Sequence, residues 1–210
     1  IKELFFKMND RNILVTGGLG ILGAALVKKL SKKKLFNIFI LDRSKNINKI
    51  NVLNLNKINR VKIIKGNFND YKTVFRIIKN KNIGVIFHLG AITQVIDAYK
   101  SPMETFNSNI IGTINILESI RNLKRNISLI FSSSDKAYGS LVGDAYIENH
   151  QLKGNYPYDV SKSTSDLIVQ SYVKTYNLKA GIIRSGNIYG PGDLNMDRLV
   201  PHVIISSLQN

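Results

Sequence analysis

A short apolar run that stops at a cluster of glycines and resumes as an amphipathic helix constrains this chain more than any other feature. Asn12 to Thr16 (NILVT) is strand-sized, Gly17-Gly18-Leu19-Gly20 follows, and Ile21, Leu22, Ala25, Leu26 and Leu30 then recur at helical spacing, with Lys28, Lys29, Lys32 and Lys33 suiting a helix C-terminus. The alternation continues along the chain. Further strands are predicted at Phe36–Leu41, Val61–Lys65, Gly84–Leu89, Ile127–Phe131 and Ala180–Arg184, and helices over Tyr71–Lys79, from Pro102 through Leu117, and over Tyr158–Tyr176. Repeated strand–helix units predict an α/β fold, a doubly wound parallel sheet with helices on both faces. Ligands of such sheets sit at the carboxyl ends of the strands, which places the chemistry just after Thr16, Leu41, Leu89, Ser132 and Arg184.

Composition narrows the functional classes. The 210 residues are 44% apolar and 21% charged, enough for one domain with a sizeable core and too apolar for a disordered chain. With no Cys there is no disulfide framework, thiolate metal site or cysteine nucleophile. The longest apolar runs, such as Ile13–Val15 and Val85–Phe87, fall far short of the roughly 20 residues of a bilayer span. Ile1 to Phe6 is too short and mixed for a secretory signal, so a cytoplasmic protein without a membrane partner is expected. The 30 Lys+Arg against 14 Asp+Glu give a net charge of +16, which raises the question of nucleic acid. Lys, Asn and Ile are used heavily throughout, most densely in Ser44–Arg60, and no basic stretch carries interleaved aromatics; no nucleic-acid partner is expected. His88, His150 and His202 are far apart, so no metal site is expected, and His88, ending a strand, reads as a packed structural histidine.

Gly17, Gly20 and Gly23 form a Gly-x-x-Gly-x-x-Gly turn between strand and helix. Glycines there permit a tight turn and close approach of backbone to a pyrophosphate, while the helix start at Ile21 and Leu22 offers free N–H groups and a partial positive charge. Asp42 lies 19 residues beyond Gly23, the distance expected of a carboxylate on an adenosine ribose. That acid favours NAD over NADP, although Arg43 beside it is a group that can accommodate a 2′-phosphate.

Tyr158 and Lys162 stand four apart at the start of a predicted helix, hence on one face. A phenol near pKa 10 is a poor base at neutral pH, and a cation within a few Å is expected to favour its phenolate. Upstream, Ser132-Ser133-Ser134-Asp135-Lys136 runs off the fifth strand, and a hydroxyl there can share a substrate oxygen with Tyr158. Tyr138, Tyr146 and Tyr156 cluster in the same region and read as packing residues.

With these residues in view, the chain resembles the extended short-chain dehydrogenase/reductases, specifically the NAD-dependent nucleotide-sugar epimerases and dehydratases. Gly17, Gly20 and Gly23 match that family's dinucleotide loop; Gly66-Asn67-Phe68 matches the adenine segment, with Asn67 where Asp is usual; His88-Leu89-Gly90-Ala91 resembles the stretch lining the nicotinamide half; and Asn109–Thr113 resembles its helix motif. Ser134, Tyr158 and Lys162 match the Ser/Thr-Tyr-Lys triad, and in Arg184–Gly192 (RSGNIYGPG) the resemblance implies that Asn187, with Arg198 beyond it, approaches the sugar diphosphate. Asp135-Lys136 and Asp197–Pro201 look like the CDP-glucose 4,6-dehydratase branch. The resemblance thus implies a nucleotide-sugar 4,6-dehydratase acting on a CDP-glucose-like substrate, with Asp135 as proton donor to the departing C6 hydroxyl and Lys136 assisting. The alternatives are an NDP-sugar 4-epimerase and, from another class, a non-catalytic dinucleotide-binding protein. It also implies a homodimer, with Ile110, Ile114 and Leu117 and the apolar positions of the Tyr158 helix as candidate interface. Residues 10–190 are expected to be the dinucleotide-binding domain and 191–210 the start of a substrate-binding region; family members are longer, so the chain is expected to be a fragment.

Overall fold

A computed structural model describes residues 12–43, 55, 58–140, 145–193 and 195–209. Ile1–Phe6, the domain limit at Asp10 and most of the Lys- and Asn-rich stretch after Arg43 lie outside the described residues. Six strands, β1 (Asn12–Thr16), β2 (Asn37–Asp42), β3 (Val61–Lys65), β4 (Val85–His88), β5 (Ser128–Ser132) and β6 (Lys179–Ile183), form one sheet in the order β3-β2-β1-β4-β5-β6. Every pairing is parallel. Strand order reverses between β1 and β4, and there the carboxyl ends open a crevice.

The helices are α1 (Ile21–Ser31), α2 (Tyr71–Asn80), α3 (Val95–Lys100), α4 (Pro102–Phe106), α5 (Gly112–Leu123), α6 (Pro157–Tyr176) and α7 (Leu199–Gln209). Strand alternation sorts the core into two layers. Ile13, Val15, Ile38 and Ile40 face α1 residues Val27 and Leu30, while Leu14, Phe39 and Leu41 face the opposite layer with Val74, Ile116 and Val169 of α2, α5 and α6.

Several boundaries differ from the sequence expectation. β6 ends at Ile183, so Arg184 follows the strand instead of closing it. The helix expected from Pro102 is interrupted by a π-helical turn, Asn107–Ile111, in which the Gly112 N–H bonds the Asn107 carbonyl five residues back. α3, only six residues long, and α7, which carries Val200, Ile204 and Leu208 at helical spacing, were not among the expected elements. Of the candidate interface residues Leu117 is fully buried beneath the sheet, whereas Ile110 and Ile114 are half-buried and Leu167 on α6 is exposed. Among the described residues no helix is long and apolar enough to cross a membrane.

Candidate active site

The glycine turn leads directly off β1. Gly17 adopts φ +67°, and a Cβ there would lie 2.8 Å from the Gly90 backbone, so the turn and the β4 loop touch through bare main chain. A side chain at Gly23 would run into the Gly17 carbonyl, which explains why α1 starts flush against the turn. Gly20 is different: only the Gly17 carbonyl, 3.3 Å away, approaches its Cβ position. It caps an 11-residue helix with no side chain over the end and no acid in the first turn, leaving N–H groups at Ile21 and Leu22 to face an anion. A concavity of main chain with donors aimed into it fits a pyrophosphate.

Around it, Asp42 is half-buried as the last residue of β2. Arg43 is turned toward Glu104 (3.3 Å) in an exposed ion pair. Asn67 is exposed, its Oδ1 accepting from the Asn69 N–H (3.0 Å). The Phe68 ring belongs to the core, edge-on to His88 at 5.3 Å, so only its main chain is left to meet a ligand. Leu89 and Ala91, half-buried, follow β4 at the mouth of the crevice.

Across the crevice stands a second cluster. A 3₁₀ turn, Asp135–Tyr138, leaves β5 through Ser134, whose hydroxyl donates to Asp135 Oδ1 (2.9 Å) and accepts from the Lys136 N–H (3.2 Å) beside the Tyr158 phenol. Tyr158 enters α6 immediately after Pro157 and is 8% exposed; Lys162, one turn on, is 4% exposed and donates from Nζ to the Ser132 carbonyl (2.9 Å), with Nζ 5.6 Å from the Phe131 ring centroid. Asp135 is part-exposed and Lys136 exposed on the same turn. The structure therefore brings Ser134, Asp135, Lys136, Tyr158 and Lys162 together.

One expectation is corrected. The phenol of Tyr158 is not made acidic here: burial raises its pKa, the Asp135 and Asp159 charges add to that, and the polar Ser134 and the Arg198 charge only oppose it. Lys162 has its ammonium committed to the Ser132 carbonyl, and burial brings its pKa down to about 8, against the pull of Asp166.

Asn187 is exposed in the segment after β6, whereas Arg198 bonds Asp193 (3.3 Å) and still acts on Tyr158 through its charge. Two buried carboxylates escaped sequence reasoning. Asp166, fully buried on α6, forms a two-pronged ion pair with Arg184 (2.8 and 2.9 Å), and Arg184 also bonds the Tyr138 hydroxyl (2.9 Å) and the Glu148 carbonyl (3.0 Å). Burial pushes the Asp166 carboxyl up, but the bonds from Arg184 and Gln170 outweigh it and hold it below its usual range. The spacing of Asp166, four residues past Lys162, was the signal available for it. Asp159, buried at the start of α6, has its pKa raised by burial despite the nearby Lys136 and the Tyr156 and Asn155 N–H groups. Tyr138 stacks on Tyr146 at 4.8 Å, a packing role as expected.

A parallel sheet of this order, with a side-chain-free turn at its switch point and a buried Tyr–Lys pair across from it, defines a dinucleotide-binding α/β protein of the extended short-chain dehydrogenase type. The family model described as GDP-mannose 4,6 dehydratase matches residues 14–210, and the chain belongs to that family. It is 34% identical to a dTDP-D-glucose 4,6-dehydratase of Dictyostelium discoideum over 95% of this chain and 49% of that protein. It is 27% identical to a CDP-glucose 4,6-dehydratase of Salmonella typhimurium over 69% of this chain and 43% of that one. The crystal structure of dTDP-glucose 4,6-dehydratase from Bacillus anthracis in complex with NAD superposes with a TM-score of 0.82 at 28% identity, covering 94% of this chain and 61% of that one. UDP-glucose 4-epimerases are also among the similar proteins. The chain spans about half the length of the curated relatives it matches. Among the described residues no group of three or more His, Asp or Glu is placed to hold a metal ion.

Proposed function

We propose that this chain carries the cofactor site and the proton-transfer groups of an NAD-dependent nucleotide-sugar 4,6-dehydratase. Gly17, Gly20 and Gly23, with the N–H groups of Ile21 and Leu22, hold the pyrophosphate; Asp42 accepts from the adenosine ribose, Asn67 and the Phe68 main chain meet adenine, and Leu89 and Ala91 line the nicotinamide half. NAD, when bound, supplies an acceptor for the C4 hydride of the sugar and a donor for its return to C6. The protein's own groups move the protons. Tyr158 takes the proton of the C4 hydroxyl, with the Ser134 hydroxyl beside the phenol and Lys162 lending the field of its ammonium. The phenol's raised pKa means that positive charge brought by the cofactor has to complete its activation. Once C4 is a ketone, the C5 proton is acidic; Lys136 assists by accepting it while Asp135 gives a proton to the C6 hydroxyl, which leaves as water, and the proton returns to C5 when C6 is reduced.

The observation that carries the reading is the placement of Asp135 and Lys136 on the turn that follows Ser134, with Ser134 and Asp135 both close enough to act on the Tyr158 phenol. Simple C4 epimerisation needs neither group. The same pair favours a CDP-glucose-like substrate; Asn187 and Arg198 are the candidates for its diphosphate, and residues 191–210 open the substrate-binding region next to a domain spanning 10–190. The epimerase reading draws its support from the UDP-glucose 4-epimerases among the relatives. Incubation with NAD and CDP-, dTDP-, GDP- and UDP-sugars separates the readings: a 4-keto-6-deoxy product, which absorbs in alkali, is expected, first from CDP-glucose. An epimer means the epimerase reading, and NAD binding without turnover, unaltered by Tyr158→Phe, means a non-catalytic binding protein. A homodimer through Ile110 and Ile114 and the apolar positions of α6, such as Leu167, belongs to the same proposal, and light scattering tests it.

A further inference from the structure

His88 is a buried histidine that the proton transfers above do not use, and its surroundings are more ordered than packing requires. It sits at the end of β4, 1% exposed, between the rings of Phe68 and Phe131. Its Nδ1 lies 2.7 Å from Thr16 Oγ1 and its Nε2 3.1 Å from Thr113 Oγ1. The directions of these bonds follow from their neighbours. Thr113 donates its hydroxyl proton to the Asn109 carbonyl (2.6 Å), so toward His88 it can only accept, and the ring carries its proton on Nε2. Nδ1 is then an acceptor, so Thr16 donates to it while accepting from the Gly90 N–H (3.0 Å). One proton arrangement satisfies every member, and a charged ring would take from the Thr16 hydroxyl proton its acceptor at Nδ1. Burial likewise holds the His88 pKa down to about 3, with Lys162 adding to the effect.

The run continues on both sides to functional main chain. At one end are Gly90 and Thr16, the residues on either side of the Gly17 turn contact. At the other, the π turn places the Asn109 carbonyl where the Thr113 and Ser165 (2.9 Å) hydroxyls both reach it, and the Asn109 side chain grips the Ile92 N–H (2.8 Å), the Ile92 carbonyl (3.0 Å) and Ser161 Oγ (2.9 Å). Ser161 in turn donates to the carbonyl of Tyr158 (2.6 Å). Thr16, His88, Asn109, Thr113 and Ser161 are all 4% exposed or less. We propose that this buried run, with neutral His88 at its centre, sets the position of Tyr158 relative to the glycine turn, making Thr16, His88 and Thr113 positioning residues. The proposal rests on the glycine turn as cofactor site and Tyr158 as base.

The test is Thr113→Val in the 210-residue chain, with Thr113→Ser, which keeps the hydroxyl, as the rescue. Tyrosine labelled at the phenolic carbon is followed by NMR without cofactor, Tyr158 being assigned by Tyr158→Phe. The Tyr158 resonance and its titration midpoint should move in Thr113→Val, return in Thr113→Ser, and leave those of Tyr172, remote on α6, unchanged. A folded Thr113→Val with an unaltered Tyr158 resonance overturns the proposal. Should Thr113→Val fail to fold, the wild-type imidazole decides: proton on Nε2 and a neutral ring at pH 5 are required, and the other tautomer or a charged ring overturns it. If the wild type binds no NAD, the functional reading fails while the tyrosine measurement still stands. Where it turns over a nucleotide sugar, Thr113→Val should lower kcat about tenfold with NAD affinity within about twofold; kcat and affinity falling together would indicate a merely structural role.

Discussion

The two sides of the crevice are built from opposite materials. On the β1–β2 side the ligand-facing surface is main chain: Gly17, Gly20 and Gly23 remove side chains, and the capping position of α1 carries none. On the β5–β6 side the protein buries what it can least easily bury, with Lys162, Asp159, Asp166, Ser133, Ser161 and Ser165 at 7% exposure or less. Holding a diphosphate requires donors at fixed positions and room for close approach, which a bare turn provides. Moving protons requires groups whose pKa values are displaced from water, which only burial and paired charge provide. The first side can be broken by adding an atom, and the second by removing one.

The largest effect is expected on the second side. Tyr158→Phe should leave NAD affinity nearly unchanged and cut turnover by about 10²–10⁴-fold, read as kcat with saturating nucleotide sugar. Next comes the buried ion pair: Arg184→Met strands the Asp166 carboxylate and should cost about 3–5 kcal/mol in urea unfolding, and Asp166→Asn with Arg184→Met should cost less than the sum of the two. On the first side, Gly17→Ala asks for φ +67° and a Cβ 2.8 Å from Gly90; a loss of about 1–3 kcal/mol and of NAD binding is expected, by melting and calorimetry.

Between the two sides, His88 makes stability depend on acid. Its folded pKa of about 3 lies below the unfolded value near 6.5, so the unfolded chain takes up a proton that the folded chain refuses, and stability falls as the pH drops through that window. A His88→Gln chain should be less stable at pH 7 yet show an acid limb flatter by a few kcal/mol. The smallest effect belongs to Arg43→Ala: its pair with Glu104 is exposed on both partners, and the change should be under about 1 kcal/mol in unfolding.

The legible parts of the molecule are those written in local pattern. The inner strands were visible as apolar runs, because a parallel strand covered on both faces needs nearly every position apolar, as Ile13–Val15 and Ile38–Leu41 show, while the edge strands β3 and β6 were visible as shorter apolar stretches bordered by Lys. The glycine turn and the Tyr158–Lys162 spacing were visible because turn geometry and helical period are short-range. The interruption at Asn107–Ile111 was not, since the periodicity of Phe106, Ile110 and Ile114 is that of an uninterrupted helix, and the π turn answers contacts with Ile92 and α6. The Asp166–Arg184 pair was equally hidden: 18 residues separate its members, and only packing α6 against the end of β6 brings them to 2.8 Å.

Sequence alone determined where the chain alternates, where it must turn without side chains, and which phenol and amine share a face. It left open the protonation of those groups. Tyr158 came out with its pKa raised where a neighbouring cation was expected to lower it, because the low-dielectric interior penalises the phenolate and the Lys162 ammonium is spent on the Ser132 carbonyl. Spacing along a helix says which groups are near; the energy of a charge depends on everything within several ångströms in all directions, and that is assembled only when strands and helices distant in the chain pack together.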